Sequence, residues 1–257
     1  MHNFINAAGN LFLNGIVGSY FSTEFVMLIL CYIITALAAY ALGSLNFAVI
    51  ISKLRYNDDI RKYGSGNAGM TNMLRTYGKG AAAMTFAGDA LKTAVAIVIG
   101  MILVGSIHGG NYVAGFFAIL GHVFPCYYGF KGGKGVVASA VTILMLDPRI
   151  FLVLIIIFVI IVAIWRYISL GSVVCAMLYP LLVCATDRIM YSKSGINNPV
   201  SIIFALIIGL FVIILHRKNI ERLMTGKESK INFGKKKQQK YSVSKNTDDK
   251  DGNNKNK

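Results

Sequence analysis

The sequence predicts an all-α, polytopic integral membrane protein with about seven transmembrane helices, N-terminus outside and C-terminus cytoplasmic. Three observations carry that expectation. Of 257 residues, 55% are hydrophobic and 14% charged, well below the roughly 25% charged residues of a soluble domain. The apolar residues gather in runs near the ~20-residue length that crosses a bilayer core. Basic residues alternate between loops, abundant on one side of the predicted membrane and sparse on the other.

Taken in order, residues 1–24 are modestly apolar, contain a single acid, Glu24, and lack the basic leading region of a signal peptide. They are expected to be a retained N-terminal extension suited to the membrane interface. The apolar runs cover about 25–52, 80–105, 111–127, 135–147, 150–165, 168–186 and 199–215. The fourth and fifth are short and separated by Asp147-Pro148-Arg149, where proline favours a turn over one continuous helix. The loop at 53–79 carries Lys53, Arg55, Arg61, Lys62, Arg75 and Lys79; the loop at 127–134 carries Lys131 and Lys134; the next on that side carries Arg166. The opposite loops hold no basic residue at 106–110, Arg149 at 147–149, and Arg188 with Lys193 at 187–198. The richer set is therefore assigned to the cytoplasm. Residues 25–228 form the predicted membrane domain. Residues 229–257 are Lys, Asn, Gln, Ser and Asp with little apolar content, too little to offset the entropy of ordering, and are expected to be a disordered cytoplasmic tail.

The net charge is +15, and 13 of the 26 Lys and Arg follow His216. Charge placed beyond the last apolar run marks the cytoplasmic side and meets anionic headgroups, so membrane lipids, not nucleic acid, are the expected partner. Cys31, Cys126, Cys175 and Cys184 follow no metal or CxxC spacing. Neither a disulfide nor a metal site is expected, and nothing calls for a cofactor.

Three polar constellations interrupt the apolar chain, all on the predicted cytoplasmic side. The first runs from Arg61 through Gly64-Ser65-Gly66-Asn67-Ala68-Gly69 to Thr71, Asn72 and Arg75. It fits G-x-G-x-x-G, yet it follows a membrane span where a dinucleotide fingerprint needs a strand and a βαβ unit. Its chemistry is that of hydroxyls, amides and a guanidinium that suits phosphate oxygens. The second is Gly121-His122-Val123-Phe124-Pro125 followed by Phe130-Lys131-Gly132-Gly133-Lys134-Gly135. Tyr128 and Gly135 rule out a Walker A loop. Two lysines among three glycines ahead of an apolar helix still make an anion nest at a helix N-terminus. A basic turn obeying the positive-inside rule needs the lysines but not the glycines. The third begins at His216 and continues through Asn219, Arg222 and Glu228; His216 and Asn219, three apart, share a helix face. No H-x-x-x-x-D acyltransferase motif follows any histidine. Asp89 and Lys92 sit in an apolar run, where such charges face each other or a polar cavity. Ser169 and Ser172 open the sixth run, as helix caps or phosphate ligands.

Together with Gly43-Ser44, Tyr167-Ile168-Ser169-Leu170, Ile220, Leu223 and Gly226, these motifs resemble the bacterial acyl-phosphate–glycerol-3-phosphate acyltransferase family, PlsY, over roughly residues 37–231. The resemblance implies transfer of a fatty acyl group from acyl phosphate to the 1-hydroxyl of glycerol 3-phosphate. The products would be 1-acylglycerol 3-phosphate (lysophosphatidate) and phosphate, in phospholipid biosynthesis at the bacterial cytoplasmic membrane, with the site on the cytoplasmic face. It assigns catalytic roles to Ser65, His216 and Asn219, and substrate binding to Asn67, Arg75, Lys131, Gly132, Gly133, Lys134, Gly135 and Ser172. Lys134 and the glycine amides would hold phosphate, Arg75 would balance its charge, and Ser65, His216 and Asn219 would orient the acceptor. His216, a Ser65–His216 acyl-enzyme or a substrate phosphate are each open as the base arrangement, with direct transfer favoured because acyl phosphate already carries a good leaving group. Asn46-Phe47, Met70 and Thr93 depart from the family pattern without removing a group the reaction needs. The rival reading is a transporter of a phosphorylated metabolite; the absence of two matching broken halves speaks against it.

Overall fold

The structure, a computed structural model, describes residues 11, 15, 25–106, 109–194 and 199–231. The expectations for the N-terminal extension, beyond residues 11 and 15, and for the tail from 232 onward lie outside these residues. The described chain is all helical: α1 (Phe25–Gly43), α2 (Phe47–Tyr56), α3 (Met70–Tyr77), α4 (Lys79–Leu103), α5 (Gly110–Val123), α6 (Val136–Leu146), α7 (Pro148–Trp165), α8 (Ile168–Ser194), α9 (Pro199–Leu215) and α10 (Arg217–Met224), with short 3₁₀ turns at Ile60–Lys62 and Cys126–Tyr128.

Every predicted apolar run is helical, but not every one is long. Four stretches are long and apolar enough to cross a membrane, the first running through α1 and α2, and a fifth is added if α9 and α10 count as one span bent by 58°. The runs predicted at 111–127 and 135–147 give α5 and α6, of 14 and 11 residues; at 1.5 Å per residue these reach about 21 and 16 Å, short of a ~30 Å hydrocarbon core. Chain chemistry sets their limits. Pro125 follows α5, Gly135 (φ 73°) opens α6, and Asp147 caps α7, accepting from the amides of Arg149 and Ile150 with Pro148 at the first position. The first predicted span is also interrupted. Asn46 caps α2 by accepting the Val49 N–H at 3.1 Å and donates to the Ala68 carbonyl at 3.2 Å.

The helices form two groups. In one, α1, α4 and α5 pack on one another; in the other, α8 packs on α7 and α9; α6 bridges them, touching α4, α5 and α7. The first group is built on small residues. Ala39, Ala96, Ala114 and Ala118 are buried there. A Cβ on Gly43 would stand 2.3 Å from the Ala118 carbonyl oxygen, and one on Gly121 the same distance from that of Tyr40. Close backbone approach of this kind is how membrane helices gain contact without a hydrophobic drive. Outward faces are apolar: Ile33, Ile34 and Leu37 on α1, Ile156 and Ile160 on α7, and Ile203, Ile207 and Leu210 on α9 are exposed. Lipid covers such faces, and the chain is a multi-pass membrane protein.

Candidate active site

Each polar constellation folds around one buried side chain. In the first, Asn72 is the template: its Oδ1 accepts the Ser65 N–H at 3.0 Å, and its Nδ2 donates to the carbonyls of Ile60 and Tyr63 at 3.2 and 2.9 Å. Gly64 has φ 59°, and a Cβ there would fall 2.2 Å from Asn72 Oδ1, so the turn demands glycine. Arg61 ties this loop to the second run, donating to the carbonyls of Tyr128 at 2.6 Å and Lys131 at 3.3 Å while paired with Asp59 at 2.7 Å.

In the second constellation the template is the end of α5. The amides of Gly132 and Gly133 donate to the carbonyls of Val123 and His122, each at 3.1 Å. A Cβ on Gly132 would lie 2.1 Å from the His122 carbonyl oxygen, and one on Gly133 2.1 Å from His122 Nε2. This revises the anion nest expected from the sequence. These two glycines permit close packing, and their N–H groups are engaged within the protein. The donors that remain are the opening amides of α6, which have no carbonyl four residues back, and the ammonium of Lys134.

His122 belongs to a buried cluster. Lys92 Nζ pairs with Asp89 Oδ1 at 2.9 Å and donates to the Leu45 carbonyl at 2.7 Å and to His122 Nδ1 at 3.0 Å. The pair expected from Asp89 and Lys92 is thus formed, and it supports both the break between α1 and α2 and the floor of the glycine loop.

The third constellation starts where α9 gives way to α10. His216 Nδ1 lies 2.8 Å from the Val212 carbonyl. A carbonyl only accepts, so Nδ1 carries the proton and Nε2 is left as a base. Asn219 Oδ1 accepts from Lys134 Nζ, and its Nδ2 donates to Glu228 Oε1 at 2.8 Å. Glu228 also accepts from Ser169 Oγ at 2.9 Å and Arg222 Nε at 2.7 Å. Burial alone would raise the Glu228 carboxyl, but the bonds from Arg222, Asn219 and Ser169 hold it below its ordinary range. Arg75 Nη2 donates to the Ser229 carbonyl at 3.2 Å, and the Ile231 N–H to that of Arg166 at 2.7 Å. Residues 229–231, assigned from composition to the tail, are therefore a strap fastened to Arg75 and Arg166.

All three constellations meet at one cavity of about 270 Å³. Ser65, Asn67, Arg75, Lys134, Gly135, Ser172, His216 and Asn219 line it, as the sequence predicted for the site; Lys131, Gly132 and Gly133 do not. Thr71, His122, Ser169 and Glu228 line it as well; of these the sequence offered only Ser169 as a phosphate ligand, beside a capping role. Glu228 carried a signal, its place in the third motif, whereas its bond to Ser169 59 residues away is invisible in the chain. Burial, with the charges of Arg222 and Arg75 close by, brings the Lys134 ammonium down to about 8, and Glu228 offsets part of that. Away from this charged end the wall turns apolar: Ile143, Phe151, Leu154 and Phe158 from α6 and α7 face Ala176, Tyr179, Ile208 and Val212 from α8 and α9. The cavity thus joins an anion-binding end to a slot that suits a hydrocarbon chain.

The family model described as Glycerol-3-phosphate acyltransferase matches residues 33–226. The chain is 41% identical to a glycerol-3-phosphate acyltransferase of Clostridioides difficile (strain 630) over 219 residues, covering 82% of this chain and 100% of that protein. It is 39% identical to one from Thermoanaerobacter sp. (strain X514) over 199 residues, 77% and 95% of the two chains. Among solved structures it resembles the crystal structure of PlsY (YgiH), an integral membrane glycerol 3-phosphate acyltransferase. The glycerol 3-phosphate form aligns with TM-score 0.65 at 32% identity, covering 78% of this chain and 96% of that one. The lysophosphatidic acid form aligns with TM-score 0.62 at 30% identity, covering 78% and 95%. With matches of that extent on the fold and motifs described above, the chain belongs to the glycerol-3-phosphate acyltransferase family.

Proposed function

We propose that this protein transfers an acyl group from acyl phosphate to the 1-hydroxyl of glycerol 3-phosphate, releasing 1-acylglycerol 3-phosphate and phosphate at the cytoplasmic face of the cell membrane. One observation carries the reading: a single cavity joins a cluster of phosphate-suited donors to an apolar slot. An amphiphilic donor can keep its chain in the slot and the membrane while its head meets a soluble acceptor. The basic loops at 53–79 and 127–134 favour the cytoplasmic side for that end.

In the proposed reaction His216 Nε2 takes the proton of the 1-hydroxyl, whose oxygen attacks the acyl carbon. The carbon–oxygen bond of the mixed anhydride breaks, its electron pair leaves with phosphate, and His216 returns the proton to that phosphate. Lys134, Arg75 and the opening amides of α6 stabilise the charge that builds on the departing group. Asn219, held between Lys134 and Glu228, and Ser65 orient the acceptor, with Asn67 and Ser172 beside them. Beyond that proton transfer, positioning and charge stabilisation carry the reaction, because the leaving group is already activated.

The test is turnover by purified protein with labelled glycerol 3-phosphate offered palmitoyl phosphate, palmitoyl-CoA or palmitoyl carrier protein separately. Labelled lysophosphatidate from acyl phosphate alone is expected. No product from any donor, in folded protein, would leave the transporter reading in its place.

The Lys134 ammonium supplies a pH signature. It is charged below about 8 and loses its charge as pH rises through that value. The free-enzyme profile, kcat/KM for glycerol 3-phosphate, is therefore expected to fall above about pH 8. Lys134→Arg, whose guanidinium stays charged, should carry the fall to higher pH. An alkaline limb unmoved by arginine would assign it to another group.

A further inference from the structure

Two polar side chains on the cavity wall have atoms that the interactions described so far leave unused. Ser139 Oγ, on α6, has no hydrogen-bond partner among the described residues. His122 is 3% exposed, and the contacts its ring makes, to Lys92 and Asp89, are at Nδ1. Both residues line the same cavity as Lys134 and Gly135.

The buried cluster decides which ring nitrogen carries the proton. An ammonium donates and cannot accept, and Lys92 Nζ, paired with Asp89 and bonded to the Leu45 carbonyl, lies 3.0 Å from His122 Nδ1. Nδ1 is therefore the acceptor and Nε2 the N–H. Nε2 faces Gly133, where no Cβ intervenes. A buried donor left unpaired is costly. Ser139 Oγ is such a donor, and with the His122 Nε2–H beside Lys134 and a helix N-terminus it suits an acceptor with negative charge.

We propose that His122 Nε2–H, with Ser139 Oγ–H, binds a phosphate oxygen of a substrate beneath the glycine loop. His122 becomes a further substrate-binding residue, and Lys92 and Asp89 its positioning residues, fixing the ring's tautomer and angle. The proposal rests on the acyltransferase reading for which molecule brings the phosphate: glycerol 3-phosphate or the acyl phosphate headgroup.

The experiment uses full-length protein in detergent, labelled with ¹⁵N-histidine, the His122 signal being assigned by its loss in His122→Gln. Wild type is expected to show the proton on Nε2. Its resonance should shift when glycerol 3-phosphate or a non-transferable acyl phosphonate is added, and the ligand that moves it identifies the source. In kinetics His122→Phe should raise KM for that same substrate by roughly tenfold, while His122→Gln, whose amide reaches a similar point, stays within about threefold. A proton on Nδ1, or a resonance that neither ligand moves, overturns the proposal, whether or not the phenylalanine variant folds. If wild type makes no lysophosphatidate yet glycerol 3-phosphate shifts the signal, the acyltransferase reading falls and the subsite stands. Turnover with a static signal means the reverse.

Discussion

Replacing Lys134 by alanine is expected to lower kcat/KM for glycerol 3-phosphate by about 10²–10³, the loss that follows removal of one preorganised donor from developing charge. Two effects combine. The ammonium beside the α6 N-terminus disappears, and Asn219 Oδ1 loses its donor, so the amide is held through Glu228 alone. The loop itself should survive. Its path is set by the Gly132 and Gly133 amides on the end of α5 and by Arg61 on the Tyr128 and Lys131 carbonyls. The thermal midpoint of the purified variant should therefore stay near that of wild type while steady-state turnover collapses. A folded variant with full activity would remove Lys134 from the reaction.

Asp89→Ala is expected to produce the largest loss of stability, about 3–5 kcal/mol, because it strands the buried Lys92 charge with neutral acceptors only. Lys92 and Asp89 are both almost wholly buried, so water cannot replace the lost partner. A fall in the thermal midpoint, read by fluorescence of the detergent-solubilised protein, checks this. Asp89→Asn combined with Lys92→Met removes both charges and should recover most of the midpoint, since deleting a buried pair costs far less than breaking it. Recovery of the midpoint without recovery of turnover is expected as well, because the methionine cannot hold His122 Nδ1. A single Asp89→Ala variant as stable as wild type would show that the pair does not carry opposite charges.

The helical class and the three constellations were legible in the sequence because they are written locally, in apolar runs and glycine spacing. The convergence of the constellations followed from charge alternation between loops. Span lengths were less legible. The interruption at Asn46 depends on a bond to Ala68, 22 residues away, and nothing local distinguishes that asparagine from one inside a loop. The glycine loop was read correctly as a special backbone but with the wrong reason at two positions. Gly132 and Gly133 are required by the closeness of His122, a tertiary fact, while Gly135 does start a helix at the cavity. The apolar slot was not legible at all. Its wall takes residues from four helices, each of which reads in isolation as an ordinary lipid-facing segment.

The strap at 228–231 bears on the order in which the chain is made. Glu228 closes a set of bonds with Ser169 and Arg222, and Ser229 receives Arg75, so the first motif waits for a segment translated 154 residues later. A nascent chain inserts its earlier helices before that segment leaves the ribosome. Until then Arg222 lacks its carboxylate partner and Asn219 is held by Lys134 alone. A chain terminated just ahead of Glu228 would keep all its long apolar helices yet lack the bonds from Glu228 and Ser229 that brace the site.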